Sequence, residues 1–133
     1  MILVDANVLM YAAGAEHHYK APSLALLENV ALGEVEAAID TEVLQEVLHR
    51  YRAINRWAEG RHVFDSARRI FTVILPITVE VVDYARFLLD DFSKISARDA
   101  LHAAVVATEG LEALCSYDRG FDQIAAIRRI EPE

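Results

Sequence analysis

Four acidic residues stand where short apolar runs or turn signals hand over to helical segments: Asp5, Glu46, Asp99 and Asp118. In an open α/β sheet, ligands bind in the crevice outside the carboxyl ends of the strands. Acids gathered there from distant segments repel one another unless a cation neutralises them. The set therefore reads as a divalent-metal site. Each acid also has an ordinary explanation. Asp5 can cap the helix that begins near Asn7, and Asp118 the one that begins at Arg119. Glu46 can pair with Arg50 one turn later. Ser96-Ala97-Arg98-Asp99 fits a capping box, in which Asp99 bonds back to the Ser96 amide. Capping alone does not require four acids at one end of a sheet, because Ser, Thr and Asn cap equally well.

The elements that must position these acids alternate along the chain. Met1 to Val4 is a continuous apolar run, read as a buried parallel strand. Asn7 to Ala13 reads as a short helix ending at Gly14, and Lys20 to Leu32 as a second, with Pro22 near its start and Gly33 past its end. Glu36 to Ile39 reads as a strand. Thr41 to Ala58 carries Leu44, Val47, Leu48, Tyr51 and Ile54 on one face, which predicts a single helix stopping before Gly60. A helix from Arg61 to Phe71, a strand from Thr72 to Leu75 and helices over 78–92 and 96–109 follow. Strand Ala113 to Ser116, a short helix from Arg119 and strand Ile127 to Ile130 complete the pattern. Such alternation predicts an α/β fold with a parallel sheet covered on both faces.

Length and composition agree. The chain has 133 residues, the size of one domain, and 54% of them are hydrophobic, which argues against disorder. No apolar run approaches the roughly 18 residues of a membrane span. The N-terminus meets Asp5 too early for a signal peptide. The single cysteine, Cys115, suits a reducing compartment, so the expected location is the cytoplasm. A net charge of −8 argues at first against a nucleic-acid partner. Between Arg50 and Arg69, however, six arginines face only Glu59 and Asp65. That basic stripe can hold a phosphate backbone or simply be a solvated helix face.

Ile2-Leu3-Val4-Asp5-Ala6-Asn7-Val8-Leu9, the helix carrying Glu46, Arg98-Asp99-Ala100-Leu101-His102-Ala103-Ala104 and Ser116-Tyr117-Asp118-Arg119-Gly120-Phe121-Asp122 resemble the motifs of PIN-domain proteins. Within that superfamily the chain is similar to the VapC-type ribonuclease toxins of toxin–antitoxin pairs, over essentially its whole length and in the family's order. The resemblance implies a three-layer α/β/α fold with a central, mostly parallel sheet of four to five strands, formed by residues 1–133 as one PIN domain. It implies that Asp5, Glu46, Asp99 and Asp118 hold Mg²⁺ or Mn²⁺, that Asp122 adds a fifth, outer carboxylate, that Asn7 orients Asp5, and that Thr41 helps order water or substrate. Magnesium prefers oxygen ligands and keeps several waters, in agreement with these residue types. The implied reaction is hydrolysis of an RNA phosphodiester, leaving a 5′-phosphate and a 3′-hydroxyl. The implied partners are a cognate antitoxin that pushes a basic side chain into the acidic site, and a second copy in a homodimer.

Other residues have softer readings. Arg98 and Arg119 adjoin site acids, where a guanidinium can grip phosphate or merely balance charge. Arg50, Arg52 and Arg56 are candidates for substrate binding. His102 is flanked by Ala103, Ala104 and Val105, so packing is the expected role. His17 and His18 read as loop residues. Tyr11, Tyr19, Tyr51, Phe64 and Trp57 could stack on bases but more often pack. Two rivals stand beside the nuclease: a metal-dependent phosphatase with Asp5 as nucleophile, and a non-catalytic module that binds RNA or protein. Asn7 occupies the position where a haloacid-dehalogenase-type phosphatase wants a second Asp.

Overall fold

A computed structural model describes all 133 residues. The elements follow in the order β1 (Ile2–Val4), α1 (Ala6–Ala13), α2 (Lys20–Ala31), β2 (Ala37–Asp40), α3 (Thr41–Ala53), α4 (Trp57–Ile70), β3 (Ile74–Leu75), α5 (Val79–Asp91), α6 (Ala97–Glu109), β4 (Ala113–Cys115), a 3₁₀ turn (Arg119–Gln123) and β5 (Arg129–Ile130). The five strands form one sheet in the order β3-β2-β1-β4-β5, every pair parallel. No helix is long and apolar enough to cross a membrane.

Side-chain alternation along the strands divides the interior in two. Val4, Ile39 and Cys115 pack against α1, α2, α3 and α4, while Leu3, Ala38 and Leu114 face α5 and α6. Both faces of the sheet are thus covered, the expected setting for parallel strands. Residues that cap are of the types that cap well. Thr78 accepts from Val81 N and Ser96 from Asp99 N, and Gly110 closes α6 at φ 63°.

The chain runs outward from β1 through β2 to β3, then returns to place β4 on β1's other side. The strand order reverses at β1, so the ends of β1 and β4 diverge into a crevice at the switch point. Asp5 follows β1, Asp40 ends β2, and Ser116 to Asp118 follow β4.

The structure corrects one element. The expected helix over 41–58 stops at Ala53, and the next starts at Trp57 rather than Arg61. Asn55 sits at φ 59° in the break, a left-handed conformation that asparagine tolerates better than most residues. Gly60 is not a stop at all. It lies inside α4, buried, where a Cβ would stand 2.4 Å from the Tyr51 Cβ. Its missing side chain lets α4 lie close against α3, the helix that carries Glu46.

Candidate metal centre

Asp5 is nearly buried, at 5% exposure, directly after β1. Its Oδ1 accepts from Ala6 N at 2.7 Å, which caps α1, and its Oδ2 accepts from Ser116 Oγ at 2.6 Å. Capping and site membership, which the sequence posed as alternatives, hold together here. Ser116 is the hub of this corner. While donating to Asp5 it accepts from Asn7 Nδ2 at 3.0 Å and from Asp118 N at 3.0 Å. One hydroxyl proton and two lone pairs are all used. Asn7 therefore reaches Asp5 through Ser116 rather than directly. Asp118 in turn caps the 3₁₀ turn by accepting from Gly120 N at 2.8 Å.

His102 is fully buried and belongs to the site, which corrects the packing role expected from its apolar neighbours. Its Nδ1 donates to Asp40 Oδ2 at 2.7 Å and its Nε2 to Glu46 Oε1 at 2.5 Å, with Asp5 Oδ1 3.7 Å from Nε2. Burial alone would pull the imidazole pKa down. The Asp40 charge, the hydrogen bonds to Asp40 and Glu46 and the Asp5 charge outweigh it and hold the pKa well above 6.5. Asp40, also fully buried, caps α3 through Oδ1, which accepts from Val43 N at 2.9 Å. Its other oxygen is thereby aimed at His102. Nothing in the sequence reading marked Asp40. The available signal was the pattern of an apolar strand ending in Asp before a helix, which Ile39-Asp40-Thr41 shares with Val4-Asp5-Ala6.

The four expected acids are electrostatically joined. Burial raises the Asp5 pKa, with Glu46 adding to the rise. Asp99 is pushed up to about 6, by burial first and then by the charges of Asp118 and Asp5. Ser96 Oγ accepts from Asp99 N at 3.1 Å, the first half of the expected capping box. Asp5, Glu46 and His102 place ligand atoms within 4.8 Å of one another. Asp5 and Glu46 converging on one imidazole, with Asp99 coupled to Asp5 and Asp118, suit a divalent cation.

Other expected participants have partners of their own. Asp122, expected as a fifth, outer carboxylate, is engaged by Arg129. Arg129 grips it from Nε and Nη2 at 2.8 and 3.3 Å, and also donates from Nη1 to Glu131 at 2.7 Å and to the Ser116 carbonyl at 3.0 Å. Thr41 Oγ1 accepts from Ile77 N at 3.0 Å, tying α3 to the segment before α5 rather than meeting the acids. Arg119 bears on Asp122 rather than on the cluster. The basic stripe divides. Arg52 lies over the Trp57 ring, 5.5 Å from its centre, whereas Arg50, Arg56 and Arg98 line a cleft with Glu46 and Asn7. Arg98 also leans toward Glu42 at 3.8 Å.

The PIN domain family model matches residues 2–127. The chain belongs to the PIN-domain family. This PIN domain is 43% identical over 130 residues to ribonuclease VapC13 of Mycobacterium tuberculosis, covering 98% of this chain and 99% of that protein. It is 32% identical over 121 residues to ribonuclease VapC23 of the same species, covering 89% and 93%. Its fold matches that of VapBC2 from Rickettsia felis, solved bound to a DNA fragment from its promoter, with a TM-score of 0.78 at 19% identity and full coverage of both chains. Mycobacterium tuberculosis VapC20, described as a sarcin-ricin loop cleaving toxin, has a TM-score of 0.76 at 16% identity, covering 94% of this chain and 95% of that one.

Proposed function

We propose that this PIN-domain protein is a divalent-metal-dependent endoribonuclease, the toxin of a toxin–antitoxin pair. The observation that carries this reading is the convergence of Asp5 and Glu46 on His102 at the strand-order switch, with Asp99 coupled electrostatically to Asp5 and Asp118, in a chain related to named ribonucleases. Asp5, Glu46, Asp99 and Asp118 hold the ion, which is Mg²⁺ or Mn²⁺. When bound, such an ion lowers the pKa of a water and stabilises charge on a phosphate. The chain's own residues do the rest. Ser116 and Asn7 fix the Asp5 carboxylate, Asp40 and His102 fix Glu46, and Arg98 offers a guanidinium to an RNA phosphate at the rim.

The antitoxin and the homodimer belong to the same proposal. An apolar groove of about 370 Å³ between α1, α2 and α4, lined by Leu9, Leu24, Leu27, Val63 and Ile70, supports a helical antitoxin segment as its occupant. For the dimer, the apolar stripes of α2 and α3 are mostly spent on the core, where Leu27, Val30, Leu44 and Val47 are buried. Exposed apolar side chains remain at Leu24, Leu32, Leu48 and Ile54 on and after α2 and α3, and at Val79, Val82, Phe87 and Leu89 on α5.

The deciding experiment is cleavage of a mixed structured-RNA pool in Mg²⁺, Mn²⁺ or EDTA by wild type and Asp99→Asn. Metal-dependent cutting that disappears in the variant is the expected result. Metal binding with no cutting of any RNA would turn attention to phosphomonoesters, and neither binding nor cutting would leave an interaction module.

A further inference from the structure

Beside the acids lies a cleft of about 830 Å³, within the range of roughly 300–1,000 Å³ typical of ligand pockets. Glu46 and Asn7 are among the residues that line it. The lining carries three guanidinium groups, Arg98 from α6, Arg50 from α3 and Arg56 from the α3–α4 break. Arg56 pairs with Glu59 at 2.7 Å, but this is an exposed pair whose guanidinium retains free donors. The lining also includes two aromatic rings, Tyr11 of α1 and His17 of the following loop, with ring centres 4.7 Å apart, and the carboxylates of Glu16 and Glu59.

These two rings are held in place. His17 Nδ1 accepts from Tyr19 N at 3.1 Å, and the His17 ring meets those of His18 at 4.3 Å and Tyr19 at 5.0 Å. Tyr11 meets Tyr19 and Tyr117 edge-on at 5.1 and 5.4 Å, and those two rings stack on each other at 3.9 Å. Tyr11 and His17 line the cleft, whereas Tyr19 and Tyr117 back them without lining it. Tyr117 precedes Asp118, so the aromatic wall is anchored to the turn that carries a metal acid. In a chain of net charge −8, three arginines and two aromatic rings line one space that reaches Glu46.

We propose that this cleft is a nucleotide subsite. Building on the ribonuclease reading above, it receives one unpaired residue of the RNA beside the cut, with its base against His17 and Tyr11 and its phosphate on Arg50 and Arg56. A base already stacked inside a duplex offers no free face to such a wall, so the cleft selects loops and single strands. The subsite contributes to which RNA is cut, in addition to the acids that cut it.

Binding is read without cleavage. The five histidines allow the His17 ring signal to be assigned in ¹³C-histidine-labelled protein by its loss in His17→Ala. Titration with adenosine or uridine 5′-monophosphate should shift that signal, and ribose 5-phosphate, which has no base, should not. Arg50→Gln should weaken nucleotide binding. In cleavage of a hairpin RNA cut in its loop, His17→Ala should raise KM by about five- to a hundredfold, the range for loss of one stacked base, and lower kcat less. His17→Phe should restore KM, which a merely structural defect would not allow. A His17 signal indifferent to nucleotides, an equal response to ribose 5-phosphate, or an unchanged KM in His17→Ala would overturn the proposal. So would a ring that ignores nucleotides but shifts with a purified antitoxin, which would give the wall to a protein partner. RNA cut with a silent ring would sink the subsite alone, whereas nucleotide-induced shifts without any cutting would sink the ribonuclease reading and leave the subsite standing.

Discussion

At the outer edge of the sheet, Asp122 and Glu131 close on Arg129, and the hydrogen bonds from that guanidinium hold the Asp122 carboxyl below the usual carboxylate range. At the centre of the sheet, Asp5, Glu46, Asp99 and Asp118 make no ion pair with any arginine or lysine, and the Asp5 and Asp99 pKa values rise instead. Both groups contain aspartates near strand ends, and Ser116 touches both, since its carbonyl accepts from Arg129 while its hydroxyl serves Asp5. The difference is whether the chain supplies its own countercharge. Acids that are paired internally hold structure together. Acids left in excess around one imidazole keep an energetic demand for a cation, and that demand is what a metal enzyme uses.

The contrast can be broken most severely from its centre. Asp5→Asn or Asp99→Asn should lower metal-dependent RNA cleavage by more than about a hundredfold, beyond the usual effect of changing a residue behind the ligands. Asp40→Asn and His102→Gln act one step back. Each should weaken Mn²⁺ binding by about 10- to 100-fold in isothermal titration calorimetry, and unchanged affinity would return His102 to a packing role. At the other acid group the readout should be stability rather than metal. Arg129→Met, by removing the donor to the Ser116 carbonyl, should cost about 1–3 kcal/mol in urea unfolding. Asp122→Asn should leave Mn²⁺ affinity as it was.

The smallest expected effect is in the pH dependence of the metal-free protein. The folded pKa of Asp99, about 6, lies above its ordinary value of 3.8, so the fold binds this proton more tightly than the unfolded chain does. The resulting stability is fully present below 3.8 and is lost as pH rises through about 6. In EDTA, Asp99→Asn should flatten that part of the profile and be more stable than wild type at neutral pH. A steeper fall in the variant would mean that Asp99 is stabilised as a carboxylate.

Much of the framework was legible because local chemistry and tertiary role agree. Met1 to Val4 is apolar throughout because a central parallel strand is buried on both faces, and Gly33 and Gly110 mark helix ends where the backbone turns left-handed. The α3–α4 break was hidden because Leu44, Val47, Tyr51 and Ile54 keep helical spacing right up to it, while Gly60 imitates a stop and serves close packing. At the site, acids next to strand ends could be found from local sequence. The Asp40–His102–Glu46 chain could not, because it joins residues 62 and 56 positions apart and its histidine is embedded among alanines. The pairing of Asp122 was also hidden, because its partner Arg129 arrives seven residues later from β5.

The Ser116–Asp5 hydrogen bond spans 111 positions of sequence, and β1 can gain its neighbour β4 only after both helical layers have been laid down. During synthesis, Asp5 emerges 111 residues ahead of the Ser116 hydroxyl that holds it. A chain released or stalled before Asp118 has emerged carries some of the acids but no assembled centre.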